Sequence, residues 1–104
     1  MVAPSNLKIL EQQTQQAICE LCDYLGLEWF HNPDSQRVRA GLPDLIIIGP
    51  RGVIYAELKS KTGKLRTKQD KIIKLLRQSG QKVFVWRHTD LQNGTVLREL
   101  RSIT

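Results

Sequence analysis

The feature that most constrains the fold is the segment 42–59, in which two apolar runs flank a Gly-Pro-Arg-Gly sequence. The runs are residues 45–48 and 53–58, and the residues between them are 49–52. Apolar, β-branched runs on either side of glycine and proline predict a β-hairpin. Because side chains alternate along a strand, every second residue of each run should lie on the same face of the sheet.

A tight turn determines which residues of this hairpin face each other. If Gly49 opposes Gly52, Asp44 lies directly across from Glu57, with Cβ atoms roughly 4.5–5.5 Å apart. Lys59 follows Glu57 on the same face, two residues further along the strand. A slip of one residue in the turn would break this pairing, so the prediction depends on the register.

An acid pair at the end of apolar strands is costly for folding alone. Two carboxylates this close repel each other unless one is protonated or a cation lies between them. A hard divalent cation bound by oxygen ligands would explain the arrangement of Asp44 and Glu57. The alternative is a surface hairpin whose acids are incidental.

The length and net charge of the chain indicate its domain organisation and the kind of partner it binds. The chain has 104 residues, which predicts a single domain over 1–104, and its net charge is +6 with a pI of about 9.7. Such a charge favours a polyanion such as nucleic acid over an anionic membrane surface. No apolar run is long enough to span a membrane. The start of the sequence has no basic leader and no apolar signal core, so a cytoplasmic location is expected.

The first amphipathic stretch places one acid on its apolar side. Residues 7–25 have helical spacing, with Pro4-Ser5-Asn6 before them and Gly26 after. At about 100° per residue, Glu11 lies within roughly 20–40° of the apolar stripe. Either Glu11 takes part in an active site, or it edges the stripe and reaches water. The pair Cys19 and Cys22 lacks the partners of a zinc site and is expected to be structural or incidental.

The segments beside the hairpin are rich in basic residues. The polar loop 32–41 carries Arg37 and Arg39, which are candidate phosphate ligands or simply solvated loop arginines. A second helix is expected over 67–79, with Thr67 as a possible N-cap and Gly80 as its stop. Its Gln69 falls on the apolar stripe and should point toward the sheet. Further candidates for contact with phosphates are Lys61, Lys64, Arg66 and Lys68.

The last third of the chain completes an α/β pattern. Residues 83–86 predict a short central strand, 90–94 a turn, and 95–102 a final helix. His88, near the strand end, is expected to be structural. The order of elements predicts an α/β domain in which a small mixed β-sheet is flanked by helices.

These motifs resemble the PD-(D/E)xK nuclease core and, more specifically, the VRR-NUC family in its stand-alone, phage or bacterial form. Pro43-Asp44 matches the PD, and Glu57-Leu58-Lys59 matches the ExK. The wider match consists of Glu11 with Gln15, the Gly41-Leu42-Pro43-Asp44 sequence, and Gly63, Leu65 and Gln69 after the ExK. The resemblance covers nearly the whole chain and implies a restriction-endonuclease-like fold.

The resemblance also implies a role for each matched residue. Asp44 and Glu57, with the main-chain carbonyl of Leu58, would bind Mg²⁺ or Mn²⁺, and no small-molecule cofactor is expected. Lys59 would orient or help to deprotonate the attacking water and would stabilise charge on the phosphate. Glu11 would reach the metal or its waters, and Gln69 would hold the site in place.

The implied activity is metal-dependent endonucleolytic cleavage of DNA, branched or duplex, in DNA repair and in a bacterial or virus-infected cell. One site cuts one strand, so paired cuts predict a homodimer that prefers Holliday junctions or flaps. Three alternatives stay open. They are a nucleic-acid-binding module without catalysis, a sequence-specific restriction-type nuclease, and a nuclease that acts on RNA.

Overall fold

The computed structural model describes residues 4–32 and 41–104, with side chains of the first helix described from residue 10 onward. In chain order the elements are α1 (Pro4–Tyr24), β1 (Glu28–His31), β2 (Leu45–Gly49), β3 (Gly52–Leu58), α2 (Thr67–Gln78), β4 (Lys82–Trp86), α3 (His88–Gln92) and α4 (Thr95–Arg101). The strands form one sheet in the order β1-β2-β3-β4. The predicted α/β class, a small mixed sheet flanked by helices, is confirmed.

The hairpin has the predicted register. Gly49 pairs with Gly52 and Ile48 with Val53 across antiparallel β2 and β3. β1 pairs antiparallel with β2, and β4 pairs parallel with β3 after the crossover through α2. Because the register continues past Leu45 and Ala56, Asp44 comes to lie opposite Glu57, as the sequence predicted.

The hydrophobic core lies on one face of the sheet. Alternate residues of the hairpin point into it, and all are buried: Leu45, Ile47, Ile54, Ala56 and Leu58. The helices α1 and α4 cover this face through side chains that include Ile18, Cys22, Val96 and Leu100, joined by Ile103 near the chain end. α2 lies on the opposite side and packs against β4.

Cys19 and Cys22 are buried in this core, and burial raises the pKa of both thiols, that of Cys22 to about 12. Such thiols behave as small apolar side chains and are unreactive, which agrees with the structural role expected for the pair. None of the helices in the described ranges combines the length and apolar composition that crossing a bilayer requires.

Three local predictions were wrong. Residues 83–86 belong to β4, which in the described sheet is an edge strand rather than a central one. Its run is apolar because both of its faces are covered: Val83 lies on the side of α2, and the buried Trp86 donates to Glu99 of α4.

The segment predicted as a turn over 90–94 largely belongs to α3, which ends at Gln92. The Asp90 carboxylate accepts from the main-chain N–H of Arg87 at 2.8 Å and so stabilises the start of the helix. Thr67 is the first helical residue of α2 rather than its N-cap, a position that Arg66 occupies.

Candidate active site

The two facing acids are each held by the main chain of the other strand. Glu57 Oε1 accepts from the main-chain N–H of Asp44 at 3.2 Å, and Asp44 Oδ2 accepts from the N–H of Leu58 at 2.9 Å. These bonds fix one oxygen of each carboxylate, so the pair is preorganised at the open end of the hairpin. The position follows from the hairpin register, which is set by the tight turn between Gly49 and Gly52.

Glu57 is almost fully buried, with 2 % of its surface exposed. Its Oε2 accepts from Gln69 Nε2 at 2.6 Å and lies 3.3 Å from Lys59 Nζ. Burial and the neighbouring Asp44 carboxylate together raise the pKa of Glu57 from its ordinary value of 4.5 to about 7, although Lys59 opposes the shift. The protein thus holds a carboxylate whose negative charge is only partly compensated.

Gln69 links this pair to the start of α2. Its Oε1 accepts from the main-chain N–H of Arg66 at 3.0 Å, which leaves the amide nitrogen to donate to Glu57. The inward orientation predicted for Gln69 is therefore observed. Its sequence position, in the first turn of the helix, lets one side chain both cap α2 and contact the acid.

Gly41 allows the segment before Asp44 to approach α2 closely. Its φ is +107°, and a Cβ on it would lie 2.8 Å from Ile72 Cγ1 and 2.9 Å from the carbonyl oxygen of Lys68. Both the backbone conformation and the lack of space favour glycine. The glycine of the Gly-x-Pro-Asp sequence thus brings the acid pair and α2 together.

Glu11 of α1 lines the same cleft, which has a volume of about 570 Å³. Partial burial raises the pKa of Glu11, the nearby Asp44 raises it further, and Lys59 lowers it. Of the two alternatives for Glu11, the structure therefore favours the one in which its side chain belongs to the cleft. All five residues predicted to be catalytic line this cleft: Glu11, Asp44, Glu57, Lys59 and Gln69.

The predicted phosphate ligands divide into four groups. Arg66 and Lys68 line the cleft, and Lys61 lines an adjoining cavity of about 200 Å³ that shares Lys59 with it. Lys64 is exposed in the loop before α2 and lines neither of the two cavities. The predictions for Arg37 and Arg39 lie outside the described residues.

The donor set fits a magnesium-type ion. Within residues 4–32 and 41–104, no three His, Cys, Asp or Glu side chains form a complete ligand group. The site offers instead the two carboxylates of Asp44 and Glu57, with the main chain of Leu58 lining the same cleft. Mg²⁺ usually takes one or two carboxylates and leaves its other positions to water and phosphate. A cation there would also neutralise the part of the acid pair's charge that Lys59 leaves uncompensated.

Sequence reasoning missed the role of Arg87. Its Nη1 donates to the carbonyl of Ser60 and, at 2.8 Å, to that of Gly63, while the N–H of Lys59 donates to the Trp86 carbonyl at 3.0 Å. Arg87 thus holds the loop that follows the catalytic lysine candidate. These partners are distant in sequence, and no local pattern signals such a contact.

His88 has the structural role expected of it. Its Nδ1 lies 2.9 Å from Thr14 Oγ1, and the Thr14 hydroxyl donates to the Leu10 carbonyl at 2.8 Å. Because the hydroxyl proton is used in that bond, His88 Nδ1 carries a proton and donates to Thr14. This contact joins the start of α3 to α1.

The mixed sheet and its flanking helices define a restriction-endonuclease-like fold, which carries the acid pair at the open end of the hairpin. A family model of the VRR-NUC domain matches residues 4–90. The chain therefore belongs to the VRR-NUC family, a family of nuclease domains, as its motifs indicated. A search of the curated proteins found no match.

Solved structures agree with this placement. A protein described as a VRR_NUC domain is 26 % identical, with a TM-score of 0.68 over 82 % of this chain and 92 % of that chain. A second VRR_NUC domain protein is 22 % identical, with a TM-score of 0.65 over 90 % and 89 % of the two chains.

A third similar structure is Hjc of Archaeoglobus fulgidus, a Holliday junction resolvase from an archaeal hyperthermophile. It is 16 % identical, with a TM-score of 0.53 over 73 % of this chain and 64 % of that chain. At this identity the likeness concerns the fold alone.

Proposed function

We propose that this chain is a single-domain, metal-dependent endonuclease that hydrolyses DNA phosphodiester bonds, with a preference for branched DNA such as Holliday junctions, and that it acts as a homodimer. The observation that carries the proposal is the buried Glu57 facing Asp44, with Lys59 Nζ 3.3 Å from the Glu57 carboxylate. An acid pair whose charge one lysine only partly compensates, in an open cleft, suits a cation and a phosphate better than it suits folding.

The ion site would consist of Asp44 and Glu57, with the Leu58 carbonyl as a main-chain ligand and Glu11 able to bind its waters. When bound there, Mg²⁺ or Mn²⁺ supplies a water of lowered pKa and neutralises charge on the phosphate. Preorganisation is the contribution of the chain itself. The N–H groups of Asp44 and Leu58 and the Gln69 amide each hold one carboxylate oxygen in place.

Lys59 acts on the reacting groups. Its side chain is 17 % exposed, so the ammonium remains accessible from the cleft while its charge is poorly screened. It would orient the attacking water and donate to a non-bridging oxygen of the phosphate, where negative charge develops in the transition state. Arg87 positions this lysine indirectly, through the loop carbonyls of Ser60 and Gly63.

Binding to DNA is supported by charge, and the preference for branches by similarity of fold. Arg66 and Lys68 border the cleft, Lys61 lies beside it, and the whole chain carries a net charge of +6. One protein of similar structure is a Holliday junction resolvase, and a small chain with one site per copy cuts two strands symmetrically only as a pair.

The test is cleavage of labelled four-way junction, flap and linear duplex DNA with Mg²⁺, Mn²⁺ or EDTA. We expect metal-dependent cutting that is fastest on the junction and falls about 10³-fold in Glu57→Ala and Lys59→Ala, because each removes charge from the reaction centre. Lys74→Ala is the matched control, since Lys74 is exposed on α2 and pairs only with Asp70 among described residues.

Two results would contradict the proposal. Cutting that persists in EDTA would exclude the metal-dependent mechanism. Binding of every substrate without cutting, in wild type and variants alike, would indicate a nucleic-acid-binding module without catalysis.

A further inference from the structure

A second, smaller cavity adjoins the cleft, and we call it the side cavity. It has a volume of about 200 Å³ and is bordered by α1, the loop after β3 and the start of α3. Lys59 and Glu11 line both the cleft and the side cavity, so the two spaces meet at the lysine beside the acid pair. The other lining residues that matter for its chemistry are Leu10, Thr14, Arg87, His88 and Gln92.

Two planar side chains line the side cavity, and the protein holds both in place. Arg87 Nη1 donates to the carbonyls of Ser60 and Gly63. His88 Nδ1 lies 2.9 Å from the hydroxyl oxygen of Thr14, a residue that is itself buried. Guanidinium and imidazole planes are surfaces on which single nucleobases stack. Because both planes are already fixed, little conformational freedom is lost when a ring packs against them.

The remaining lining groups suit an uncharged ring. Leu10 contributes apolar surface, and the exposed Gln92 has an amide that can both donate to and accept from the polar edge of a base. The volume of the side cavity is below the roughly 300 Å³ at which pockets for drug-sized ligands begin. The space therefore suits one ring system rather than a longer stretch of a strand.

The charges around the side cavity argue against a phosphate as its occupant. Lys59 Nζ lies 3.3 Å from the Glu57 carboxylate, so its ammonium is engaged at the cleft. Arg87 already donates through Nη1 to two carbonyls. The carboxylate of Glu11 borders the side cavity and would repel an anion there. Lys61 is exposed and serves a phosphate outside the cavity better than one inside it.

We propose that the side cavity binds one unpaired nucleobase of the DNA strand whose phosphate occupies the cleft, with the base stacked on the planar side chains of His88 and Arg87. The inference rests on the proposed function, because it takes the substrate of the cleft to be DNA. It adds the state of the nucleotide beside the cut, which has left the helix.

A preference for branched DNA follows from such a site. A base must unpair and unstack before it can enter the side cavity, and this step costs least where the base is already mismatched or single-stranded. Nucleotides at a branch point meet that condition, whereas those inside a matched duplex do not. The side cavity would thus select branched DNA without reading its sequence.

The first experiment uses small probes and needs no catalysis. Deoxyadenosine monophosphate, deoxyribose 5-phosphate and inorganic phosphate are titrated in EDTA into isotope-labelled wild type, and the amide signals of residues 87–92 are followed by NMR. We expect the probe with a base to shift these signals. The two probes without a base should bind at least about 10-fold more weakly, because stacking of one base contributes about 5–150-fold.

Two substitutions of His88 separate stacking from a structural role. His88→Leu and His88→Phe both remove the contact with Thr14, but only phenylalanine keeps a planar ring. We expect His88→Leu to weaken binding of deoxyadenosine monophosphate at least about 10-fold, and His88→Phe to stay within about threefold of wild type. Thermal unfolding followed by circular dichroism establishes that each variant is folded.

Gln92→Ala tests the same site without touching the Thr14 contact. It should weaken binding of the same probe about 2–10-fold, the effect of one hydrogen bond, and it serves in place of a His88 variant that fails to fold. Gln78→Ala is the control, because Gln78 is exposed on α2 and lines neither the cleft nor the side cavity.

The second experiment measures whether the extruded base limits cleavage. A linear duplex carries a matched pair, a mismatch or an abasic site next to the position that is cut in the junction. We expect wild type to cut the mismatched duplex at least about 10-fold faster than the matched one, because its base leaves the helix at lower cost. The abasic duplex should gain less, since no base is left to bind, and His88→Leu should lose the gain from the mismatch.

The outcomes separate this inference from the nuclease proposal. Inorganic phosphate that shifts residues 87–92 as strongly as the nucleotide would overturn base binding and indicate a phosphate site. Absence of shifts with every probe, or equal binding by His88→Leu and His88→Phe, would also overturn it. A protein that binds the base but cuts no DNA would retain the base site and overturn the nuclease. Junction cleavage with no gain from a mismatch would retain the nuclease and overturn the base site.

Discussion

The two faces of the β2–β3 hairpin are made by alternate residues of the same strands, and they differ in almost every property. On one face Leu45, Ile47 and Ile54 are fully buried beneath helices. On the other, the residues between them begin with the acid pair of Asp44 and Glu57 and end in exposed apolar side chains. One face therefore stabilises the fold, whereas the other carries an acid pair and exposed apolar side chains that folding alone does not require.

The comparison explains how a small domain tolerates a buried, poorly compensated acid. Glu57 has a raised pKa because it is buried next to another carboxylate. The well-packed opposite face offsets this cost, since each fully buried aliphatic side chain contributes about 1.5–3 kcal/mol. Substitutions on the two faces should therefore have different effects.

Asp44→Asn should separate activity from stability. Asparagine can still accept from the Leu58 N–H through its side-chain oxygen, and the substitution removes the repulsion with Glu57. We expect cleavage to fall about 10³-fold and the free energy of unfolding at pH 8 to be equal to or above that of wild type. Cleavage assays and urea unfolding measure the two quantities. A destabilised variant would show that the acid pair serves folding.

Ile47→Ala and Ile48→Ala are adjacent, identical substitutions on opposite faces. Ile47 is 0 % exposed and Ile48 is 41 % exposed. We expect Ile47→Ala to lower the free energy of unfolding by about 2–5 kcal/mol, and Ile48→Ala to lower it by less than about 1 kcal/mol. Urea unfolding below the concentration at which the chain dimerises gives both values. Similar losses would mean that the two faces are packed alike.

Stability of the metal-free protein should depend on the ionisation of Glu57. Its pKa is about 7 in the folded state, above the ordinary value of 4.5, so between these values the folded state binds more protons than the unfolded state. The free energy of unfolding should therefore fall as pH rises from about 4.5 to about 7. Thermal unfolding at a series of pH values measures the trend, and saturating Mn²⁺ should reduce it. An equal trend in Glu57→Gln, which removes the titrating group, would assign it to other groups.

Gln69→Ala should produce a smaller loss of activity. The substitution removes the amide that donates to Glu57 and the oxygen that accepts from Arg66. Residues that orient metal ligands typically contribute about 10–100-fold, and we expect a fall in that range. Gln78→Ala, at an exposed position of the same helix, is the control. Full activity of Gln69→Ala would show that Glu57 needs no support from α2.

Much of the site was predictable because its geometry is local. The tight turn sets the register, the register places Asp44 opposite Glu57, and helical spacing turns Gln69 inward. What escaped prediction depends on contacts distant in sequence. The apolar character of residues 83–86 does not distinguish a central strand from an edge strand whose two faces are covered. Likewise, the contacts of Arg87 with loop carbonyls that lie 27 and 24 positions away leave no local pattern in the sequence.

The start of α3 was missed for a different reason. Asp90 lies in a segment that ends in Asn93-Gly94, and such residues are typical of turns. In the structure its side chain instead accepts from the Arg87 N–H and stabilises a helix of five residues. Aspartate favours both situations, so the sequence alone does not choose between them.

The most direct test of the account is the binding of Mn²⁺ to the metal-free protein, measured by isothermal titration calorimetry at pH 8. We predict that wild type binds the ion at the acid pair, that Asp44→Asn loses this binding, and that Ile48→Ala retains it because it leaves the acid pair intact. Absence of Mn²⁺ binding by wild type, or equal binding by Asp44→Asn, would contradict the claim that this end of the hairpin is a metal site.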